Sequence, residues 1–183
     1  MRVLGISGSL RRESHNTALL RAAAGLLPPG VEFERLEIGD IPPYNEDDDG
    51  EHAPEAVHRL RDSIAEADAV LISTPEYNAS IPGVLKNAID WASRPYPGNS
   101  LSEKPVLVIG ASTGMFGAIW AQAELRKVLE TVGARVMESE LGVGQAAEAF
   151  THDGALRDPA RADQLAEQLR SLLSVAELEP TAA

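Results

Sequence analysis

Apolar residues occur along the chain in short runs separated by polar, punctuated loops, and the runs alternate between two spacings. Residues 2–7 form a compact apolar run of strand length, and residues 16–27 repeat their apolar positions at helical intervals before Pro28-Pro29-Gly30. Residues 31–36 alternate Glu32 and Glu34 with apolar neighbours, which predicts a weaker strand, and residues 54–67 predict a helix. Residues 69–73 are almost wholly apolar, the mark of a strand covered on both faces. Ser80 and Pro82 open a helix over 83–92, and residues 105–110 predict another buried strand. A helix over 118–132, a short strand over 134–137 and a last helix over 159–175 complete the series. Five successive β-α units predict a parallel sheet with helices on both faces. The acidic stretch 46–51, which follows Pro42-Pro43-Tyr44-Asn45, is expected to be a solvated surface loop.

Composition narrows the chemistry. A chain of 183 residues, 44% hydrophobic, fits one globular domain, expected over 1–178 with 179–183 as a flexible tail. A formal net charge of −12 repels nucleic acid and anionic membranes at long range, so a bound anion needs a local arrangement of donors. Cysteine is absent, which removes disulfides, thiolate metal sites and thiol nucleophiles, so redox chemistry would need a cofactor. His15, His52, His58 and His152 are scattered without metal-ligand spacing, and surface or structural roles are expected, with no metal. No stretch has the length of a membrane span and no charged leader precedes the first strand, so a cytoplasmic location is expected.

In a doubly wound sheet of order 2-1-3-4-5, ligands bind beyond the strand carboxyl ends, between strands 1 and 3. The loops that converge there are SGSLRRESHN (7–16), TPEYNASIPG (74–83) and GASTGMFGA (110–118), each rich in Gly, Ser, Thr or Asn. The first precedes a helix N-terminus, whose free N–H groups and positive dipole end suit an anion. Ser7, Ser9, Ser14, Asn16 and Thr17 add side-chain donors, and Arg11 a guanidinium fork matched to phosphate. Simple N-capping is the competing role for Ser14 and Asn16, and Arg12 reads as a solvated charge. The loop lacks both G-x-x-x-x-G-K-[ST] and G-x-G-x-x-G, which disfavours a nucleoside triphosphate and a bridging pyrophosphate. A terminal monophosphate, as in FMN, fits better than FAD. In the second loop, Pro75, Glu76, Tyr77 and Asn78 offer backbone groups to the edge of a flavin ring, although Tyr77 could equally serve a subunit contact. In the third, Ser112, Thr113, Gly114 and Gly117 allow close backbone approach, with a plain Gly-rich turn into a helix as the competing role. Trp91 and Trp120 are expected in the core or at a helix–helix subunit contact, and Arg94 near a phosphate, a neighbouring subunit or the surface. No arginine cluster for a 2′-phosphate can be placed along the chain.

The segments GISGSLRRESHN, STPEYNASIPGVLKNAIDWASRP and GASTGMFGAIWAQAELRKVLETVGARV together resemble the NADPH-dependent FMN reductase family, over roughly residues 1–145. The resemblance implies a flavodoxin-like three-layer sandwich that holds FMN at the strand carboxyl ends, in a homodimer or homotetramer with the flavin near the interface. It carries the phosphate contacts to Ser9, Arg11, Ser14, Asn16 and Thr17, and the ring contacts to Pro75, Glu76, Tyr77, Asn78 and the turn 112–114. It also implies hydride transfer from NADPH (or NADH) to flavin N5 and then electron transfer to a small acceptor such as free flavin, a quinone, an azo compound or chromate. No acid or base side chain is required, so no catalytic residue is assigned. Two other readings stay open: an FMN-binding electron carrier that accepts no hydride, and a flavin-free protein binding another phosphate compound. The low aromatic content, 4%, argues against a ring sandwiched on both faces.

Overall fold

A computed structural model describes residues 1–178. The elements follow the order β1 (Arg2–Ser7), α1 (His15–Ala24), β2 (Glu32–Leu36), α2 (Glu55–Glu66), β3 (Ala69–Thr74), α3 (Gly83–Ala92), β4 (Pro105–Ala111), α4 (Ile119–Thr131), β5 (Arg135–Val136), β6 (Gly142–Val143) and α5 (Pro159–Glu177). The sheet is parallel throughout, in the order β2-β1-β3-β4-β5, with β6 pairing β4 beyond β5. This is the expected strand order of a flavodoxin-like three-layer sandwich.

The three central strands alternate their side chains between two cores, as a period of two requires. Leu4, Ile6, Val70, Ile72, Val106 and Val108 face Leu60 and Ile64 of α2, Leu85 and Trp91 of α3, and Leu125 of α4. Val3, Leu71, Leu107 and Ile109 face Leu19 and Leu20 of α1 and Leu165, Leu169 and Leu172 of α5. Each such fully buried aliphatic side chain contributes about 1.5 to 3 kcal/mol. Both faces are therefore covered, which is why these strands read as continuous apolar runs.

Local chemistry sets the boundaries. Ser14 caps α1 by accepting from the N–H groups of Asn16 and Thr17, and Gly25 ends it at Ala24, three residues before the predicted end. Asp158 caps α5, with Pro159 in its first turn. β5 is two residues long, and β6 was not predicted: β4 outlasts β5, and its last two residues, Gly110 and Ala111, pair with Gly142 and Val143. The acidic stretch is exposed over Glu46–Asp48, as expected of a surface loop, and is wound into two short 3-10 turns, Glu46–Asp48 and Gly50–His52. Their anchor is Asp49, 2.8 Å from Arg61, whose guanidinium also donates to the Trp91 carbonyl. Burial raises the Asp49 carboxyl, but the Arg61 bond, the Gly50 N–H and the charges of Arg61 and Arg94 outweigh it and hold the group below its ordinary value. Arg94 lies over the Tyr44 ring, 5.7 Å from its centroid. The predicted tail, 179–183, lies outside the described residues. No helix among the described residues is long and apolar enough to cross a membrane.

Candidate functional site

The carboxyl ends of β1, β3 and β4 open into a cavity of about 100 Å³. The loop after β1 contributes Ser9, Arg11, Ser14, His15 and Asn16, the loop after β3 contributes Pro75, Glu76 and Tyr77, and β4 with its loop contributes Ala111, Ser112 and Thr113. The three loops nominated by sequence thus share one cavity. Thr17, Asn78 and Gly114 lie outside its lining, the first buried in α1 and the others further along their loops.

The β1 side is fixed by side chains. The Gly8 N–H donates to the Ser73 carbonyl at 2.8 Å. Asn16 is buried, and its amide donates to the Ala111 carbonyl at 3.0 Å while its oxygen accepts from the Ala111 N–H and the Ser73 hydroxyl, both at 2.9 Å. One side chain therefore ties the first turn of α1 to both β3 and β4, and its hydrogen-bonding capacity is directed into the sheet. Thr17 likewise turns inward, its hydroxyl donating to Ser7 Oγ at 3.1 Å. Ser14 accepts two bonds as the cap of α1, which leaves its hydroxyl proton available. The Arg11 side chain is exposed and donates one bond, from Nη2 to the Glu13 carbonyl at 3.1 Å. The first turn of α1 contains no acid. An available hydroxyl and a guanidinium beside a helix N-terminus fit a phosphate monoester.

The β3 and β4 side is fixed by backbone. Tyr77 and Ser80 exchange both main-chain bonds at 3.1 Å, closing a two-residue turn in which Asn78 and Ala79 have φ of 55° and 59°. The Tyr77 N–H is thereby committed to the hairpin and is not among the backbone groups this loop can offer to a ring edge. Glu76 has a role that the sequence reading missed. Its carboxylate accepts from the N–H groups of Trp120 and Ala121, both at 3.0 Å, and so caps α4, whose own N-cap residue, Ala118, has no capping side chain. An unprotected helix start in the sequence was the available signal. The loop after β4 rests on the segment around β6: Ser112 N–H donates to Val143, Gln145 N–H to Gly114 and Ala146 N–H to Ser112. A Cβ on Gly117 would lie 2.3 Å from the Gly142 carbonyl carbon, so this contact is backbone on backbone.

Beside the cavity stand exposed apolar side chains. Tyr77, Met115, Phe116 and Trp120 each expose half their surface or more, and the last two rings meet edge to face at 5.2 Å. Trp91 is in the core, whereas Trp120 is not, because its place at the start of α4 faces solvent. His15, read from sequence as one of four scattered histidines, lines the cavity; its position between Ser14 and Asn16 was the clue. Among the described residues, no group of three or more His, Asp or Glu side chains could hold a metal ion.

Sheet order, buried central strands and a phosphate-suited cavity at the switch point define a flavodoxin-like protein. The model of one family in that class, NADPH-dependent FMN reductase, matches residues 1–148, and the chain belongs to that family. Its sequence is 47% identical over 173 residues to an NAD(P)H-dependent FMN reductase of Pseudomonas aeruginosa, covering 94% of this chain and 93% of the relative. A quinone reductase of Pseudomonas putida is 44% identical over 157 residues, covering 85% and 84%. Among solved structures, the flavoenzyme NAD(P)H:(acceptor) oxidoreductase FerB from Paracoccus denitrificans superposes with a TM-score of 0.87 at 44% identity, covering 96% of this chain and 97% of that one. The chain is accordingly an FMN-dependent NAD(P)H oxidoreductase that acts on small-molecule acceptors.

Proposed function

We propose that residues 1–178 act as one domain that holds the FMN phosphate against the loop after β1 and the flavin ring across the loops after β3 and β4. The observation that carries this reading is the single cavity joining Arg11 and Ser14, at the N-terminus of α1, to Pro75, Glu76, Tyr77, Ser112 and Thr113. When bound, FMN supplies the redox chemistry, taking a hydride from NADPH or NADH and passing electrons to the acceptor. The chain contributes position and access. Arg11 and Ser14 bind the phosphate, while Asn16 and Thr17, bonded inward, position the loop. Pro75, Glu76, Tyr77, Asn78 and the 112–114 turn meet the ring.

A cavity of about 100 Å³ takes a phosphate and part of its ribityl chain, which leaves the ring across the open rim. Such a ring has a face free for a nicotinamide and then for an acceptor. We assign a quinone, free flavin, azo compound or chromate as the acceptor, with the quinone favoured by the named relatives. Homodimer or homotetramer assembly with the flavin near the interface is supported by the exposed Tyr77, Met115, Phe116 and Trp120 beside the rim. We place this activity in the cytoplasm, consistent with a chain that needs no disulfide.

The test is the visible absorption spectrum of protein reconstituted with FMN and freed of excess, before and after anaerobic NADPH. Retained flavin bands that bleach are the expected result. Bands that persist with NADPH and with NADH would identify a carrier, and a colourless protein would refute the flavin site.

A further inference from the structure

Gln122, in the first turns of α4, is fully buried, and its amide donates from Nε2 to the Gly117 carbonyl at 3.0 Å. Its Oε1 is equally enclosed and accepts no hydrogen bond among the described residues. The orientation is set by chemistry, because exchanging the two ends of the amide would put two acceptors against each other. A buried acceptor without a donor is costly, and an aliphatic side chain of the same length would fill the space without that cost. Packing alone therefore does not account for an amide here. What the amide supplies is its hold on Gly117.

That contact sits where the loops after β3 and β4 begin. A Cβ on Gly110 would lie 2.8 Å from Gln122 Nε2 and 3.0 Å from both the Gly117 and the Thr74 carbonyl oxygens, so the amide rests on the end of β4 beside the end of β3. The turn it holds is not held by local preference. Gly117 and Ala118 take φ of 62° and 64° in succession, and the second carries a Cβ that disfavours this conformation. Glu76, from the loop after β3, binds the Trp120 and Ala121 N–H groups of the same helix start. The start of α4 is thus fastened to the loop after β3 by Glu76 and to the loop after β4 by Gln122.

We propose that Gln122 is the positioning residue for the flavin ring. It does not line the cavity, and it acts through Gly117, fixing the height of the 112–118 turn and with it the backbone groups that meet the ring. Hydrogen bonds to a flavin ring tune its electronics, so a displaced turn alters both the hold on the ring and the ease with which the ring is reduced. The inference rests on the placement of the ring proposed above, across the loops after β3 and β4.

The test uses Gln122→Met, which keeps the length and bulk of the side chain and removes the donor. FMN and riboflavin, the same ring without the phosphate, are titrated by quenching of flavin fluorescence. The variant is expected to bind both about ten-fold more weakly than wild type, the loss of roughly one hydrogen bond. At saturation, the visible bands and the reduction potential of its FMN are expected to move from the wild-type values. Gln122→Glu, whose acid form again donates to Gly117, is expected to return both signals toward wild type at about pH 5 and to lose them as the carboxyl ionises, each read against wild type at the same pH. Bands and potential that match wild type in saturated Gln122→Met would overturn the assignment, because a purely structural glutamine lowers the unfolding temperature without touching the ring. If Gln122→Met does not fold, Gln122→Glu decides: signals that depart from wild type as pH rises from about 5 to 8 support the role, and signals that track wild type overturn it. Wild-type protein that retains no flavin would refute the flavin site itself, whereas retained flavin with unmoved bands would refute only Gln122.

Discussion

The two sides of the cavity at the strand carboxyl ends are built by different means. On the β1 side, the buried Asn16 bonds to Ser73 and to strand backbone, the buried Thr17 bonds to the Ser7 hydroxyl, and Arg11 is exposed. On the β3 and β4 side, hairpin bonds, a carboxylate cap and glycine contacts set the backbone, and large apolar side chains are left exposed. The difference follows from what each side must do. On the reading proposed above, the first side receives the FMN phosphate, and its buried bonds hold the loop in place while Arg11 stays free to reach the ligand. On the same reading the second side meets the flavin ring, and a ring that serves two substrates in turn needs a defined edge and an uncovered face.

The sharpest way to break this comparison is at Asn16. Asn16→Ala strands the Ala111 N–H and C=O and the Ser73 hydroxyl in the interior, and is expected to cost about 3 to 4 kcal/mol of stability by urea unfolding. A loss below about 1 kcal/mol would mean that the loop is held by something else. Next in size, Arg11→Ala is expected to weaken FMN binding by about 1.5 to 3 kcal/mol while changing stability by less than about 0.5 kcal/mol, because the residue is exposed. An unchanged flavin titration would remove Arg11 from the phosphate. The smallest effect is expected on the ring side. Glu76→Ala takes the cap from α4 and should cost about 1 to 2 kcal/mol. If thermal unfolding of this variant matches wild type, the Trp120 and Ala121 N–H groups have found other acceptors.

What could be read from the chain reflects how local each determinant is. β1, β3 and β4 were legible because burial on both faces writes an unbroken apolar run, and the β-α alternation implied a parallel sheet, while the order 2-1-3-4-5 came with the flavodoxin-like fold. β6 was not, since Gly142 and Val143 carry no pattern and pair only because β4 overshoots β5. The loops of the cavity were legible as clusters, but the work of single residues within them was not. Asn16 reads as a helix cap or phosphate ligand until Ala111, ninety-five positions away, is brought beside it. Glu76 reads as a ring contact until α4 presents its bare N-terminus.

The way the sheet ends has a consequence for self-association. One edge is divided between two-residue strands, β5 and β6, and the other, β2, carries Glu32, Glu34 and Arg35 in its five residues. Neither edge offers the long, flat, uncharged ladder that templates strand addition from another molecule. A second copy of this chain therefore has to meet the first through side chains of helices and loops, where shape decides the fit, and the sheet itself does not propagate from one molecule to the next.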